Sequence, residues 1–226
     1  MHVLDNPIWH ALRTRHARFA EGGDLARRYP PAVTPLAGLF EPSPKAYEAL
    51  FGLLPVHGMA GLFLEVPVRP PKGVVVQTDL VAQMVWLGTS SPRGGQAVTL
   101  DAQDVPEMVR LANLTNPGPF GQRTQELGRY IGIRQDGVLV AMAGERLHLD
   151  GYTEISAVCT LPEHRGRGHA SALVSQLVYE ISARNEIPFL HVRADNPEAI
   201  RVYKRLGFVT RRELYVSIVA PASSRP

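Results

Sequence analysis

From Ala97 onward the sequence alternates short apolar runs of strand character with segments of helical periodicity, and this alternation constrains the fold more than any single residue does. Ala97–Leu100 reads as a short strand, Asp104 caps a helix to about Leu114, and a polar loop with Gly and Pro covers Thr115–Gly128. Strands follow at Tyr130–Arg134, Val138–His148 and Thr153–Thr160, joined at Asp136-Gly137 and Asp150-Gly151, which have the chemistry that hairpin turns require. After Gly168, the side chains of Leu173, Val174, Leu177, Val178 and Ile181 fall on one helical face. Pro188–Ala194 is strand-like, Asn196–Leu206 helical and Phe208–Val219 strand-like again. Such alternation describes an α/β domain with a mixed sheet.

The preceding half is patterned on its own. Asn6 and Pro7 read as the start of a helix carrying Ile8, Trp9, Leu12, His16 and Phe19. Ser43-Pro44 opens a second helix with Tyr47, Leu50, Phe51 and Leu54 on its apolar face, and strand-like runs lie at Gly61–Val68 and Val74–Leu87. Ser, Pro and Gly cluster at Ser90–Gln96, so the expected division is an N-terminal α/β domain at 1–92 and a second domain at 97–226. No grouping of His, Cys or paired carboxylates marks the first half as catalytic.

With 45% hydrophobic and 20% charged residues, the 226-residue chain can bury a sizeable core and is neither disordered nor collagen-like. Its single Cys excludes an intramolecular disulfide framework and a Cys-rich metal site. Four histidines, His148, His164, His169 and His191, lack metal-ligand spacing, so no metal is expected. The charge of +3 is spread thinly, with 8 basic against 7 acidic residues in 1–92 and 16 against 14 in 93–226, which is no nucleic-acid footprint. The start has no secretory pattern and no run reaches about 18 uninterrupted apolar residues, so no membrane partner and a cytoplasmic location are expected.

Two segments carry chemistry. Pro162–Ala170, with Arg165, Gly166, Arg167, Gly168 and His169, lies between a strand and an amphipathic helix. Glycines can turn backbone N–H groups inward, the helix N-terminus adds its positive dipole end, and the arginines add full charges, a combination suited to phosphate. The competing reading is an ordinary Gly-rich turn with solvated arginines. Thirty residues on, Asp195–Phe208 places Asn196 and Pro197 at a helix start and Gly207 at its end, where Asn196 could be simply an N-cap and Tyr203 a packing residue.

At this spacing and in this context the two segments together resemble the GNAT superfamily of N-acetyltransferases. The family's loop pattern is met by Arg165, Gly168 and Ala170, and its later pattern by Asn196, Ala199-Ile200, Tyr203 and Leu206-Gly207-Phe208. The resemblance covers about Ala97 to Ala220. It implies a mixed, mostly antiparallel sheet flanked by helices. The layout, with a front domain of similar size, looks like the glycine N-acyltransferase-like branch, in which that domain is often a degenerate copy of the same fold.

The resemblance also implies roles. The pyrophosphate of the cosubstrate acetyl-CoA would lie on the amides from Arg165 to Ala170. Val158, Cys159 and Thr160 would pair with the pantetheine like an added strand, and that strand splays from its neighbour, often at a bulge. Asn196 would touch the pantetheine arm, and Tyr203 would protonate the leaving thiolate. Glu154, eleven residues before Arg165, stands at the offset where histone-type members carry their base; alternatively it bonds a neighbouring backbone group or Arg. A covalent route through Cys159 is chemically possible, but its strand-forming neighbours favour burial.

The expected activity is acetyl transfer from acetyl-CoA to a primary amine by direct attack in a ternary complex, on a small-molecule or peptide acceptor. A non-catalytic acyl-CoA-binding regulatory module is the alternative. A nucleic-acid protein using Arg201, Lys204, Arg205, Arg211 and Arg212 is the weakest reading. Acceptor choice would be set by the Thr115–Gly128 loop, with Asn116–Phe120 and Arg123, together with the first domain.

Overall fold

The computed structural model describes residues 2–89 and 97–222, and the Ser90–Gln96 boundary stretch lies outside the described residues. The chain opens with α1 (Pro7–Arg13), where proline at the first helical position forfeits no hydrogen bond. The helix stops before His16, and a separate 3₁₀ turn at Ala17–Phe19 seats Phe19 in the core. Strands β1 (Glu21–Gly22), β2 (Ala26–Arg28) and β3 (Ala37–Leu39) make a small antiparallel sheet. Ser43 caps α2 (Pro44–Leu53) by accepting from the Ala46 N–H at 3.3 Å. Then come β4 (Ala60–Leu64) and β5 (Gly73–Trp86).

The second half follows the expected alternation: β6 (Val98–Leu100), α3 (Val105–Thr115), β7 (Tyr130–Gln135), β8 (Val138–Leu149), β9 (Tyr152–Thr160), α4 (His169–Ala183), β10 (Ile187–Arg193), α5 (Pro197–Arg205) and β11 (Phe208–Pro221). Asp104 precedes α3 without capping it by its side chain, whose oxygens meet Arg134 and the Asp101 N–H instead.

One eight-stranded sheet joins the two halves, in the order β4-β11-β5-β10-β9-β8-β7-β6. Its neighbours are antiparallel except β9 and β10. The sheet does not observe the expected division into 1–92 and 97–226. β5 comes from before the boundary, yet it is hydrogen-bonded on one side to β10 and on the other to β11, both from after it. A Ser/Pro/Gly cluster marks a local turn of the chain, and long-range pairing decides whether its flanks share a sheet. β4 and β5 of the first half are therefore built into the same sheet as the second half, whereas β1–β3 form a small sheet of their own.

Helices cover both faces. On one, Leu173, Val174, Leu177, Val178 and Ile181 of α4 pack with Met84, Ile131, Ile155, Leu190 and Phe208. On the other, Ile8 and Leu12 of α1 join Tyr29, Leu36, Phe63, Leu147 and Phe189. Fully burying one such Leu, Ile or Phe side chain contributes about 1.5–3 kcal/mol, so these two layers hold the strands beneath them in fixed register.

Candidate active site

β9 and β10 pair in parallel only at Ile187 with Tyr152, Pro188 with Thr153 and Phe189 with Glu154, and beyond that point they part. A cavity of about 740 Å³ occupies the wedge. Ile155, Ser156, Ala157 and Val158 line it from one strand, and His191, Val192 and Arg193 from the other. Consecutive residues of a strand point to alternate faces. A run of consecutive lining residues on both strands therefore means that the strand edges border the cavity, offering their backbone donors and acceptors.

A bulge shapes the β9 edge. Met142 pairs with Cys159 and Gly144 with Ser156, so Ala157 and Val158 together oppose Ala143, and Ala157 takes φ 53°. A non-glycine residue in this region is strained by roughly 1–3 kcal/mol, a cost met here at the site itself.

Of the expected cofactor-binding residues, Val158 and Asn196 line the cavity, with Ala199 and the candidate acid Tyr203 beside them. Asn196 also caps α5, its Oδ1 accepting from the Ala199 N–H at 3.0 Å, so the N-cap and cavity readings coexist. Tyr203 packs edge-on against Phe208, and burial pushes its phenol up to about 12, which keeps it protonated at neutral pH. Cys159 faces away, in a cluster with Met108, Leu111 and Met142, and burial pushes its thiol up to about 11. Thr160 carries a buried hydroxyl with no partner among the described residues.

At the far end of β9, Gly166 and Gly168 adopt φ 76° and 81°, which glycine reaches without a Cβ penalty. Gly168 leads into α4, and no side chain caps the first turn, so His169 and Ala170 begin a helix with free N–H groups. Arg165 and Arg167 are exposed and hold long bonds among the described residues, Arg165 Nε to Thr160 O at 3.4 Å, Arg167 Nη1 to Gln135 Oε1 at 3.4 Å and Arg167 Nη2 to Glu163 O at 3.3 Å.

Glu154 is fully buried at the last paired position of the wedge and does not line the cavity. Its carboxylate accepts from Arg146 Nε at 2.8 Å, Arg146 Nη2 at 2.6 Å and His191 Nδ1 at 2.7 Å. Burial alone would raise its pKa, but the adjoining guanidinium and the imidazole bond outweigh it and hold the carboxyl down to about 2. The expectation that Glu154 accepts the amine proton directly does not fit this environment. Its two oxygens already take three donors, and a carboxylate so stabilised in its charged form is a weak base. Its alternative reading, a strand carboxylate bonded to Arg, is what the contacts describe.

The hydrogen-bond network also orients His191. Gln83 Oε1 accepts from Arg211 Nη1 at 3.0 Å, and Gln83 Nε2 donates to Leu4 O at 2.8 Å and to His191 Nε2 at 3.1 Å. With Nε2 accepting, Nδ1 carries the proton that points at Glu154.

Arg146 and His191 both line the cavity, and neither stood out in the sequence as an active-site residue. Arg146 could have been flagged as a lone arginine in an apolar strand. Its partner could not, because a second bulge sets Arg146 and Leu147 jointly opposite Glu154, between the pairs Glu145 with Ile155 and His148 with Thr153. The first half adds Leu36, Phe63, Gln77, Asp79 and Val81 to the walls, although no sequence signal marked it. Asn116–Phe120 of the 115–128 loop line the cavity as well, whereas Arg123 turns outward to Glu126 at 2.7 Å. Arg211 and Arg212, considered for nucleic acid, are paired with Asp5. No helix among the described residues is long and apolar enough to cross a membrane.

Comparisons with known proteins agree with this geometry. Residues 130–217, from β7 into β11, match the FR47-like protein family. The chain is 32% identical over 125 residues to the N-alpha-acetyltransferase RimI of Mycobacterium tuberculosis, covering 50% of this chain and 76% of that one. It is 28% identical over 126 residues to the ribosomal protein bS18-alanine N-acetyltransferase of Escherichia coli, covering 52% and 84%. Over nearly its whole length it is similar to a GNAT-family acetyltransferase structure from Novosphingobium aromaticivorans, with TM-score 0.92, 36% identity and coverage of 98% and 99%. The chain belongs to the GNAT family of N-acetyltransferases and carries an FR47-like domain.

Proposed function

We propose that this enzyme transfers an acetyl group from acetyl-CoA to a primary amine by direct attack within a ternary complex. The observation that carries the reading is the open wedge, with one free strand edge running from Ile155 to Val158 toward the uncapped N-terminus of α4. A long, amide-bearing arm ending in phosphates matches such a groove. The amides of Arg165–Ala170 would hold the pyrophosphate, with Arg165 and Arg167 adding charge. Val158 to Thr160 would bond the pantetheine along the strand edge, and Asn196 would meet it from α5.

The acceptor nitrogen forms a bond to the thioester carbon, the carbon–sulfur bond breaks, and sulfur leaves as a thiolate. Tyr203 donates its hydroxyl proton toward that developing charge. The proton lost by nitrogen goes to water, or the acceptor enters as a free amine, because Glu154 is occupied. Glu154 instead holds Arg146 and His191 in place at the wedge apex.

Thiol release from acetyl-CoA, measured across a panel of amine acceptors, tests the reading. Amine-dependent release is expected, and calorimetric titration should find one CoA site per chain. A folded protein that binds no CoA, or never releases thiol with any amine, overturns it.

A further inference from the structure

The acceptor half of the cavity has a distinctive floor. Arg146 is nine-tenths buried, with a side-chain exposure of 10%, and lines the cavity. Its Nε and Nη2 form a fork on Glu154, while Nη1 has no hydrogen-bond partner among the described residues. A guanidinium offers five N–H donors, so the fork leaves more than half of them unspent. Nη1 is not a fully buried atom, so its N–H groups are reachable from the cavity, where the guanidinium keeps its charge. An oxygen acceptor entering the cavity can take up those N–H groups.

The surroundings say what else the ligand carries. The Arg146 guanidinium lies 5.7 Å from the Phe63 ring centroid, and Phe63 and His191 rings are 4.7 Å apart. Leu36, Val81, Val216 and Ile218 add apolar lining, with Gln77 and Asp79 of β5 beside them. The position of Arg146 along the wedge bears on where such an oxygen stands relative to the amine. The phosphate-suited loop lies beyond Thr160, so a pantetheine arm runs back along β9 toward Ile155. Its reactive end then arrives next to Glu154, the residue that Arg146 grips.

Resting on the acetyl-transfer reading above, we propose that the acceptor is an α-amino compound. Arg146 holds the carbonyl or carboxylate oxygen beside the amine, and the Leu36–Phe63–Val216 wall takes an apolar side chain. This head group occurs in a free amino acid and at a peptide N-terminus, and the two sources are separable by experiment.

Three probes share one side chain: leucine, the peptide Leu-Gly-Gly, and 3-methylbutylamine, which lacks the oxygen. Their affinities are measured calorimetrically on the CoA-loaded protein, which needs no turnover, and their kcat/KM by thiol release. At least one oxygen-bearing probe should exceed 3-methylbutylamine by about tenfold or more in both, as loss of a charge-assisted hydrogen bond predicts. Leucine above the peptide identifies a small-molecule acceptor, and the reverse identifies a polypeptide N-terminus. Arg146→Lys keeps a cation for Glu154 but loses the fork, and should shrink this ratio by raising KM for the oxygen-bearing probe. Equal affinities for the three probes, or no binding by any, overturn the inference while leaving acetyl transfer to other amines intact. Preferential binding without thiol release from any amine would overturn the acetyl-transfer reading and, with it, the acceptor assignment that rests on it.

Discussion

Replacing Glu154 by glutamine separates a base from a structural counterion. The wild-type carboxylate meets three donors with two oxygens. Glutamine offers one oxygen and an N–H₂ group, so it must turn a donor against a donor and leave the Arg146 charge uncompensated. Breaking one side of a buried ion pair costs about 3–5 kcal/mol. The titration gives a similar size. Glu154 stands at about 2 when folded against 4.5 for a free glutamate, a difference equivalent to about 3 kcal/mol. Because the folded value is the lower one, this stability is complete above pH 4.5 and is lost as pH falls toward 2. For a chain of this size the variant should melt about 6–20 °C below wild type at pH 7, and the gap should narrow as pH drops below 4.5. Replacing both partners, Arg146→Met with Glu154→Leu, should recover much of the loss, since no charge is left stranded. Thermal melts from pH 7 to pH 3 measure this. An unchanged melting temperature for Glu154→Gln, together with loss of the acidic limb of kcat/KM, would refute the counterion assignment and restore Glu154 as the base.

Tyr203→Phe keeps the ring against Phe208 and removes only the proton, so kcat should fall by about 10²-fold while CoA affinity is retained, in steady-state assays and calorimetry. Arg165→Glu should weaken CoA binding at least about tenfold, and unchanged calorimetric affinity in a folded variant would contradict the phosphate assignment. Cys159, buried with its thiol pushed up to about 11, should resist thiol reagents at pH 8 in the native protein and react on unfolding; rapid native labelling would be inconsistent with its position. His16 is held neutral beside Tyr29 and His148, pushed by burial down to about 3 against 6.5 when free. Its folded value being lower, stability should drop as pH falls below 6.5, by about 1.4 kcal/mol per pH unit, and denaturant melts at pH 7, 6 and 5 that coincide would contradict this.

The sequence by itself determined the local structure of the second half, because periodicity, turn dipeptides and Asn-Pro and Gly punctuation act over a few residues. The hairpin turns at Asp136-Gly137 and Asp150-Gly151, the helix after Gly168 and the Asn196 cap were readable for that reason, and so was the GNAT resemblance. Tertiary structure alone decided the rest. The place of β5 between β10 and β11 is a long-range pairing that its own residues do not announce, and it is what brings Gln77, Asp79 and Val81 to the cavity. The surroundings of Glu154 turned on a one-residue bulge, which moves Arg146 into reach and gives a spacing-based candidate base a buried ion-pair partner. A carboxylate's chemistry depends on which charges and donors surround it at a few ångströms, and sequence offset does not fix those neighbours.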